Sequence, residues 1–165
     1  MISEKEDTMP ESPAFLADRL RVEGDKTFNF FSGLSPDQWK LEVYTEDQIW
    51  TIRSVLAHYL TAEKGFIKIF SNIRDGGPGA SSDFDIDRYN ASQQKKTGEL
   101  EPIELLEQFR HVRSQMIELV SNFGEDDLEK QGRHPFLGQT TLAEMIKMVY
   151  RHNQIHYRDL RKVIG

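Results

Sequence analysis

Four stretches of the chain repeat apolar residues at the 3.6-residue period of an α-helix, and this repetition constrains the fold more than any other feature. Helix one, about residues 13 to 33, carries Leu16, Leu20, Phe30, Phe31 and Leu34 along one stripe, with Glu23 and Thr27 set inside it. Helix two, about 51 to 74, carries Ile52, Val55, Leu56, Tyr59, Phe66, Ile67 and Phe70. Helix three, about 102 to 123, carries Leu105, Phe109, Val112, Met116, Leu119, Val120 and Phe123. Helix four, about 141 to 163, carries Leu142, Met145, Ile146, Val149, Leu160 and Val163. No segment alternates convincingly at period two, so the chain is expected to be all-α. Four amphipathic stripes bury one another most simply in a four-helix bundle.

The starts of these helices are marked by residues that satisfy the free amides of a first turn. Ser12 precedes Pro13, Thr51 precedes the second stripe, Pro102 follows Glu101, and Thr141 is followed by Glu144. Ser35 before Pro36, with Gln38 three positions on, completes a capping-box pattern. The segments "GLSPDQW" and "FGEDDLEK" each read as a helical turn leading through a polar stretch into "TIRSVLAHYL" and "TLAEMIKMVY", a weak two-part repeat. Between helices two and three, "RDGGPGASSDFDIDRYNASQQKKTGELE" is too long for a tight hairpin and is expected to cross the bundle. Its second half, Asp87 to Thr97, is compatible with a further helix.

A length of 165 residues fits one domain, assigned to 13–165, behind a flexible tail over residues 1–12. That tail, "MISEKEDTMPES", is polar and acidic and lacks the basic start and apolar stretch of a secretory signal, so a cytoplasmic protein is expected. No apolar run approaches the roughly 20 residues of a membrane span. The chain has no cysteine, which excludes disulfides, thiolate ligands and a cysteine nucleophile. Any metal site must therefore use nitrogen and oxygen ligands. The formal net charge of -6 disfavours nucleic acid as a partner, because that affinity depends on clustered Lys and Arg.

Polar residues on inward faces carry the chemistry. His152 and His156 stand four residues apart, within roughly 40 to 80° of the centre of the apolar stripe of helix four at about 100° per residue. That spacing stacks two imidazoles one turn apart, as in paired histidine ligands of one metal ion. A pair of hydrogen-bonded structural histidines fits the same pattern. His58 lies at the flank of the stripe of helix two, on the side shared with Val55, Ala62 and Ile69. It is either a surface residue or a third nitrogen ligand, since side chains of facing helices build metal sites inside bundles. His111 falls about 140° from its stripe and is expected to be exposed. His134, in the loop "GRHPFLGQT", is expected at a mobile or rim position.

Glu63, Asn153 and Glu23 also fall where a hydrophobe would pack better, and a buried carboxylate is costly unless paired or coordinating. Each reads either as a pocket or ligand-orienting residue or, for the glutamates, as a salt-bridge partner of an arginine. Two motifs fail. "DFDIDR" lacks the glycine and the bidentate glutamate of a calcium loop, and "GGPG" lacks the Lys and Ser or Thr of a phosphate loop. No GxSxG segment is present either.

The chain resembles the DinB-like superfamily of four-helix bundles with a long crossover between the second and third helices. The resemblance rests on "WTIRSVLAHYLTAEKGF", similar to the segment bearing the first histidine of that family, and on "TLAEMIKMVYRHNQIHYRDL", similar to its final helix with paired histidines. It spans about residues 13 to 163. Members bind a divalent metal ion, often zinc or nickel, through a histidine triad, which by position would be His58, His152 and His156. The resemblance further implies a homodimer. Some relatives are metal-dependent transferases or isomerases that use low-molecular-weight thiols, others have been proposed as hydrolases, and many have no assigned activity.

An ion held by three neutral imidazoles lowers the pKa of a bound water towards about 7 or binds an external thiol as its thiolate. Imidazoles suit Zn, Ni, Fe and Cu alike. A small-molecule substrate would then sit at the open end of the bundle, near Tyr59, Glu63, Tyr89, Asn90 and Asn153, with Asn153 first among them because it adjoins His152. Two other readings stand beside the enzyme: a non-catalytic bundle that binds metal or ligand, for instance in a stress response, and a bundle whose histidines are core polar residues. A fourth protein ligand such as Glu63 would favour a closed, structural site.

Overall fold

The computed structural model describes residues 11–165, so most of the tail assigned to residues 1–12 lies outside the described residues. Helix α1 (Pro13–Ser32) begins where Ser12 Oγ accepts the Phe15 amide at 3.1 Å. Helices α2 (Ile52–Arg74), α4 (Pro102–Ser121) and α5 (Leu142–Ile164) complete the bundle, and the crossover holds a fifth, shorter helix, α3 (Ile86–Lys96). The chain is a mostly helical, four-helix bundle in which α1 lies along α4, α4 along α2, and α5 packs on α1 and α2. His111 is exposed on α4.

The two halves of the chain enter their second helices in the same way. A 3-10 turn, Gln38–Lys40 in one half and Glu125–Glu129 in the other, precedes a small antiparallel hairpin. The hairpins are β1 (Glu42–Tyr44) with β2 (Trp50–Thr51), and β3 (Gln131–His134) with β4 (Gly138–Thr141). In each, a threonine closes the last strand and caps the helix: Thr51 Oγ1 accepts the Ser54 amide and Thr141 Oγ1 the Glu144 amide, both at 3.3 Å. The first helical amide then returns to the chain before the hairpin, Ile52 to Leu41 O at 3.0 Å and Leu142 to Lys130 O at 2.8 Å. These strands correct the reading that no segment forms a strand, while the expected helical bundle stands. At two to four residues each they are too short to show an alternation.

The core falls into two clusters. One is built on Leu16, Leu20, Phe70, Met116, Leu142 and Ile146, the other on Phe31, Leu56, Leu60, Leu105, Phe109 and Leu160. Between them in sequence position on α2 and α4 stands an ion pair. Arg113 Nε donates to Glu63 Oε1, its Nη2 donates to Glu63 Oε2 at 3.1 Å, and its Nη1 donates to Leu20 O at 2.9 Å. Both side chains are buried, and the fork geometry satisfies both carboxylate oxygens. Gly24 makes room for it, since a Cβ there would lie 2.8 Å from Arg113 Cγ.

The crossover is fastened to the second hairpin. Ala80 donates to Arg133 O and Arg133 donates to Pro78 O, both at 2.8 Å. Gly79 between them holds φ at +86°, and a Cβ on it would meet Arg133 O at 2.6 Å, so glycine is required on both counts. The Tyr89 hydroxyl on α3 donates to Thr61 O on α2 at 2.8 Å. Crossover, hairpin, α2 and α5 thereby enclose a cavity. None of the helices among the described residues is long and apolar enough to cross a membrane.

Candidate metal centre

His58, His152 and His156 meet between α2 and α5. The one-turn spacing on α5 puts His156 Nε2 3.1 Å from His152 Nε2, and His58 Nε2, from the facing helix, stands 3.0 Å from His152 Nε2. One nitrogen from each ring lies within 4.8 Å of the other two. Nitrogens about 2.0–2.1 Å from one ion at angles between about 90 and 110° stand roughly 3 Å apart, so this donor set fits a divalent transition metal. His58 is buried and the other two are partly so.

Burial keeps all three rings neutral. It lowers His58 to about 2, with the charges of His152 and His156 adding to the effect, and His152 to about 3, with His156 and His134 adding. His156 is also lowered by burial, against the pull of Asp159. Neutral imidazoles at pH 7 offer the lone pairs that a metal ion needs.

Tyr44, on the first hairpin, decides which nitrogen of His156 carries the proton. Its hydroxyl donates to Asp159 Oδ2 at 2.5 Å and stands 2.8 Å from His156 Nδ1. A hydroxyl has one proton to give, so Nδ1–H of His156 donates to the Tyr44 oxygen and Nε2 is left with its lone pair facing the other rings. Burial and the bond to Asp159 raise the Tyr44 pKa, which keeps the phenol protonated. The sequence reading did not include Tyr44 or Asp159. Asp159 lies one turn beyond His156 on α5 and could have been found by that spacing, whereas Tyr44 arrives through the unforeseen hairpin.

A cavity of about 590 Å³ opens beside the triad. Its walls are chiefly apolar, from Ala62, Phe66 and Ile69 on α2, Phe84 and Ile86 of the crossover, and Met148 on α5. Tyr89 and Asn90 line it, while Tyr59, Glu63 and Asn153 do not. The buried Tyr59 hydroxyl is spent on Asn153 O at 2.8 Å, which fixes α5 to α2 beside the histidines. Glu63 is held by Arg113 and adds no fourth ligand to the group. Asn153, about 100° round the helix from His152, is buried in a different hollow with Thr27, Tyr150 and Tyr157. Glu23 pairs with Arg19 and Lys26 near the surface, both at 3.3 Å.

His134 corrects a second expectation. It is 2% exposed rather than at a mobile rim, and it lines the cavity. It closes β3, where its Nδ1 accepts the amides of Phe136 and Leu137, both at 3.0 Å, and its ring stacks on Phe66. A side chain that caps the turn following it is an Asx-like role, and "HPFLG" between two polar strands was the available signal.

A profile of the DinB superfamily matches residues 10–160. A search of curated proteins finds no match. Among solved structures, an uncharacterised protein from Escherichia coli UTI89 superposes with a TM-score of 0.73 at 16% identity, covering 94% of each chain. The mycothiol-dependent maleylpyruvate isomerase reaches 0.74 at 16% identity over 94% of this chain and 62% of its own. The colibactin self-resistance protein ClbS, solved with a double-stranded DNA, reaches 0.71 at 13% identity over 94% and 98%. At these identities the likenesses carry the fold. The match across nearly the whole chain, on a helical bundle of this architecture, establishes that the protein belongs to the DinB superfamily.

Proposed function

We propose that the protein is a divalent-metal-dependent enzyme whose ion, zinc or nickel before iron, is held by His58, His152 and His156. The observation that carries this reading is the convergence of three neutral Nε2 atoms from two facing helices, with no carboxylate in the group. When bound, the ion supplies Lewis-acid chemistry that makes a water or a low-molecular-weight thiol nucleophilic at neutral pH. Tyr44 holds His156 in the ligating tautomer, and the apolar cavity keeps solvent from a small-molecule substrate beside the triad. Thiol transfer stands ahead of hydrolysis, a preference supported by the mycothiol dependence named for one structural neighbour. A homodimer belongs to the same reading through the family resemblance, and a cytoplasmic location and residues 13–165 acting as one domain are proposed with it.

The test is a screen of zinc- and nickel-loaded protein with glutathione and 1-chloro-2,4-dinitrobenzene for thiol transfer, and with 4-nitrophenyl acetate for hydrolysis. Turnover that depends on the metal and is lost in His152→Ala supports the enzyme. Metal-loaded protein that is inert across broad panels of both classes supports a non-catalytic metal-binding bundle instead.

A further inference from the structure

The cavity beside the three histidines has mainly apolar walls but carries charge at its edge. It follows α2 from His58 through Ala62, Gly65 and Phe66 to Lys68 and Ile69. Ten residues of helix separate His58 from Lys68, about 15 Å along the axis, and the flexible four-carbon stem of the lysine covers part of that length. The histidines therefore stand at one end of the cavity and Lys68 towards the other. On α5 the lining continues from His156 and His152 to Met148, two turns away.

Lys68 is exposed and, among the described residues, is the one Lys or Arg that lines the cavity. It makes no ion pair with a described carboxylate. Burial lowers the four histidines of the lining, so they bring no charge at pH 7. Trp50 and Asn90 also line the cavity, but their neutral polar groups serve charged and uncharged ligands alike, and the Tyr89 hydroxyl already gives its proton to Thr61 O. The other charged group of the lining is Asp87. It lies in the first turn of α3, where the free amides of the helix start offset its charge. Lys68, in the interior of α2, has no such compensation. An anion paired with it keeps water on its outer side, so the pairing does not carry the cost of burying a charge. Asp87 in the same lining disfavours a dianion.

We propose that the cavity takes an elongated, mainly apolar monocarboxylate, its body against Phe66, Ile69 and Met148 and its carboxylate paired with Lys68, away from the three histidines. This rests on the proposed use of the cavity as a substrate site but not on the presence of metal, and it makes Lys68 a residue that determines specificity. The formal net charge of -6 repels anions at long range, so a preference for an acid has to come from this local pairing.

Two probes of nearly equal shape test it: 4-phenylbutanoate, which carries the carboxylate, and 4-phenylbutanamide, which lacks the charge. Their binding to full-length protein, metal-stripped and zinc-loaded, is measured by calorimetry for wild type, Lys68→Gln, Lys68→Arg and Asp87→Asn, with metal content followed alongside. Both positions are exposed, so the substitutions spare the core. Metal-stripped wild type is expected to favour the acid about fivefold, the scale of one exposed ion pair. Lys68→Gln is expected to bind both probes alike, Lys68→Arg to keep the preference, and Asp87→Asn to widen it. Equal binding of both probes by metal-stripped wild type, or an undiminished preference in Lys68→Gln, would overturn the role of Lys68. A preference that appears only with zinc would put the carboxylate on the metal, overturning the pairing while leaving the metal reading standing. If neither probe enters wild type, the cavity reading fails and Lys68 with it, and the metal content still judges the three histidines on its own.

Discussion

The hydroxyl of Tyr44 lies 2.8 Å from Nδ1 of His156, although 112 residues separate the two in sequence. The same hydroxyl donates to Asp159, so a hairpin outside the bundle sets the tautomer of a histidine inside it. Removing the oxygen in Tyr44→Phe leaves Nδ1 without its acceptor and Asp159 without its donor. Metal affinity, measured by competition with a chromophoric chelator, is predicted to fall about 10- to 100-fold, the usual effect of deleting a partner that orients a ligand. Unchanged affinity would mean that His156 is held by packing alone.

The pair Glu63–Arg113 makes a separate prediction, on stability. Glu63→Leu leaves a guanidinium buried without its counter-ion and is predicted to lower unfolding free energy by about 3–5 kcal/mol in urea titrations. The double variant Glu63→Leu/Arg113→Met removes both charges and is predicted to recover most of that loss. A double variant no more stable than the single one would show that the pair does more than neutralise itself.

The four low-lying histidines predict acid sensitivity of the metal-free protein. A histidine whose folded pKa is lowered below its unfolded value near 6.5 binds its proton more readily when unfolded. Its contribution is whole above pH 6.5 and is lost as pH falls towards the folded value, about 4 for His134 and about 3 for His152. Each such group adds a slope of about 1.4 kcal/mol per pH unit inside its window. Urea titrations of metal-free protein between pH 5.5 and 4.5 should therefore show a shallower slope for His152→Phe than for wild type, by about that amount. Parallel profiles would contradict the burial of a neutral imidazole at this position.

Gly79 ties the crossover to the hairpin that carries His134. Gly79→Ala combines a positive φ with a collision against Arg133 O. It is predicted to cost more than about 1 kcal/mol and to speed hydrogen exchange of the Ala80 and Arg133 amides, whose bonds close the junction. Slow exchange at both amides in the variant would show that the junction tolerates a side chain.

The helices were legible because long stripes leave a periodic trace and their caps, Ser12, Thr51 and Thr141, are local in sequence. His152 and His156 were legible for the same reason, being one turn apart on a single helix. The hairpins were not, since two to four residues leave no alternation to read. Their absence from the sequence reading hid Tyr44 and placed His134 at the rim, because both take their positions from strand pairing. Asn153 misled in another way: adjacency in sequence to His152 suggested adjacency in space, but one residue along a helix turns a side chain by about 100°. Glu63 was caught between two readings, and only the position of Arg113, 50 residues away, decides for the ion pair.

The central claim is that three histidines hold one divalent ion. The most direct measurement is elemental analysis of untagged protein, wild type beside His58→Ala and His152→Ala, with and without added zinc or nickel. The account predicts about one equivalent of a transition metal in wild type and its loss in both variants. Wild type that is metal-free and takes up neither ion, with all three proteins equally stable, would contradict it and leave the triad as a packing feature of the bundle.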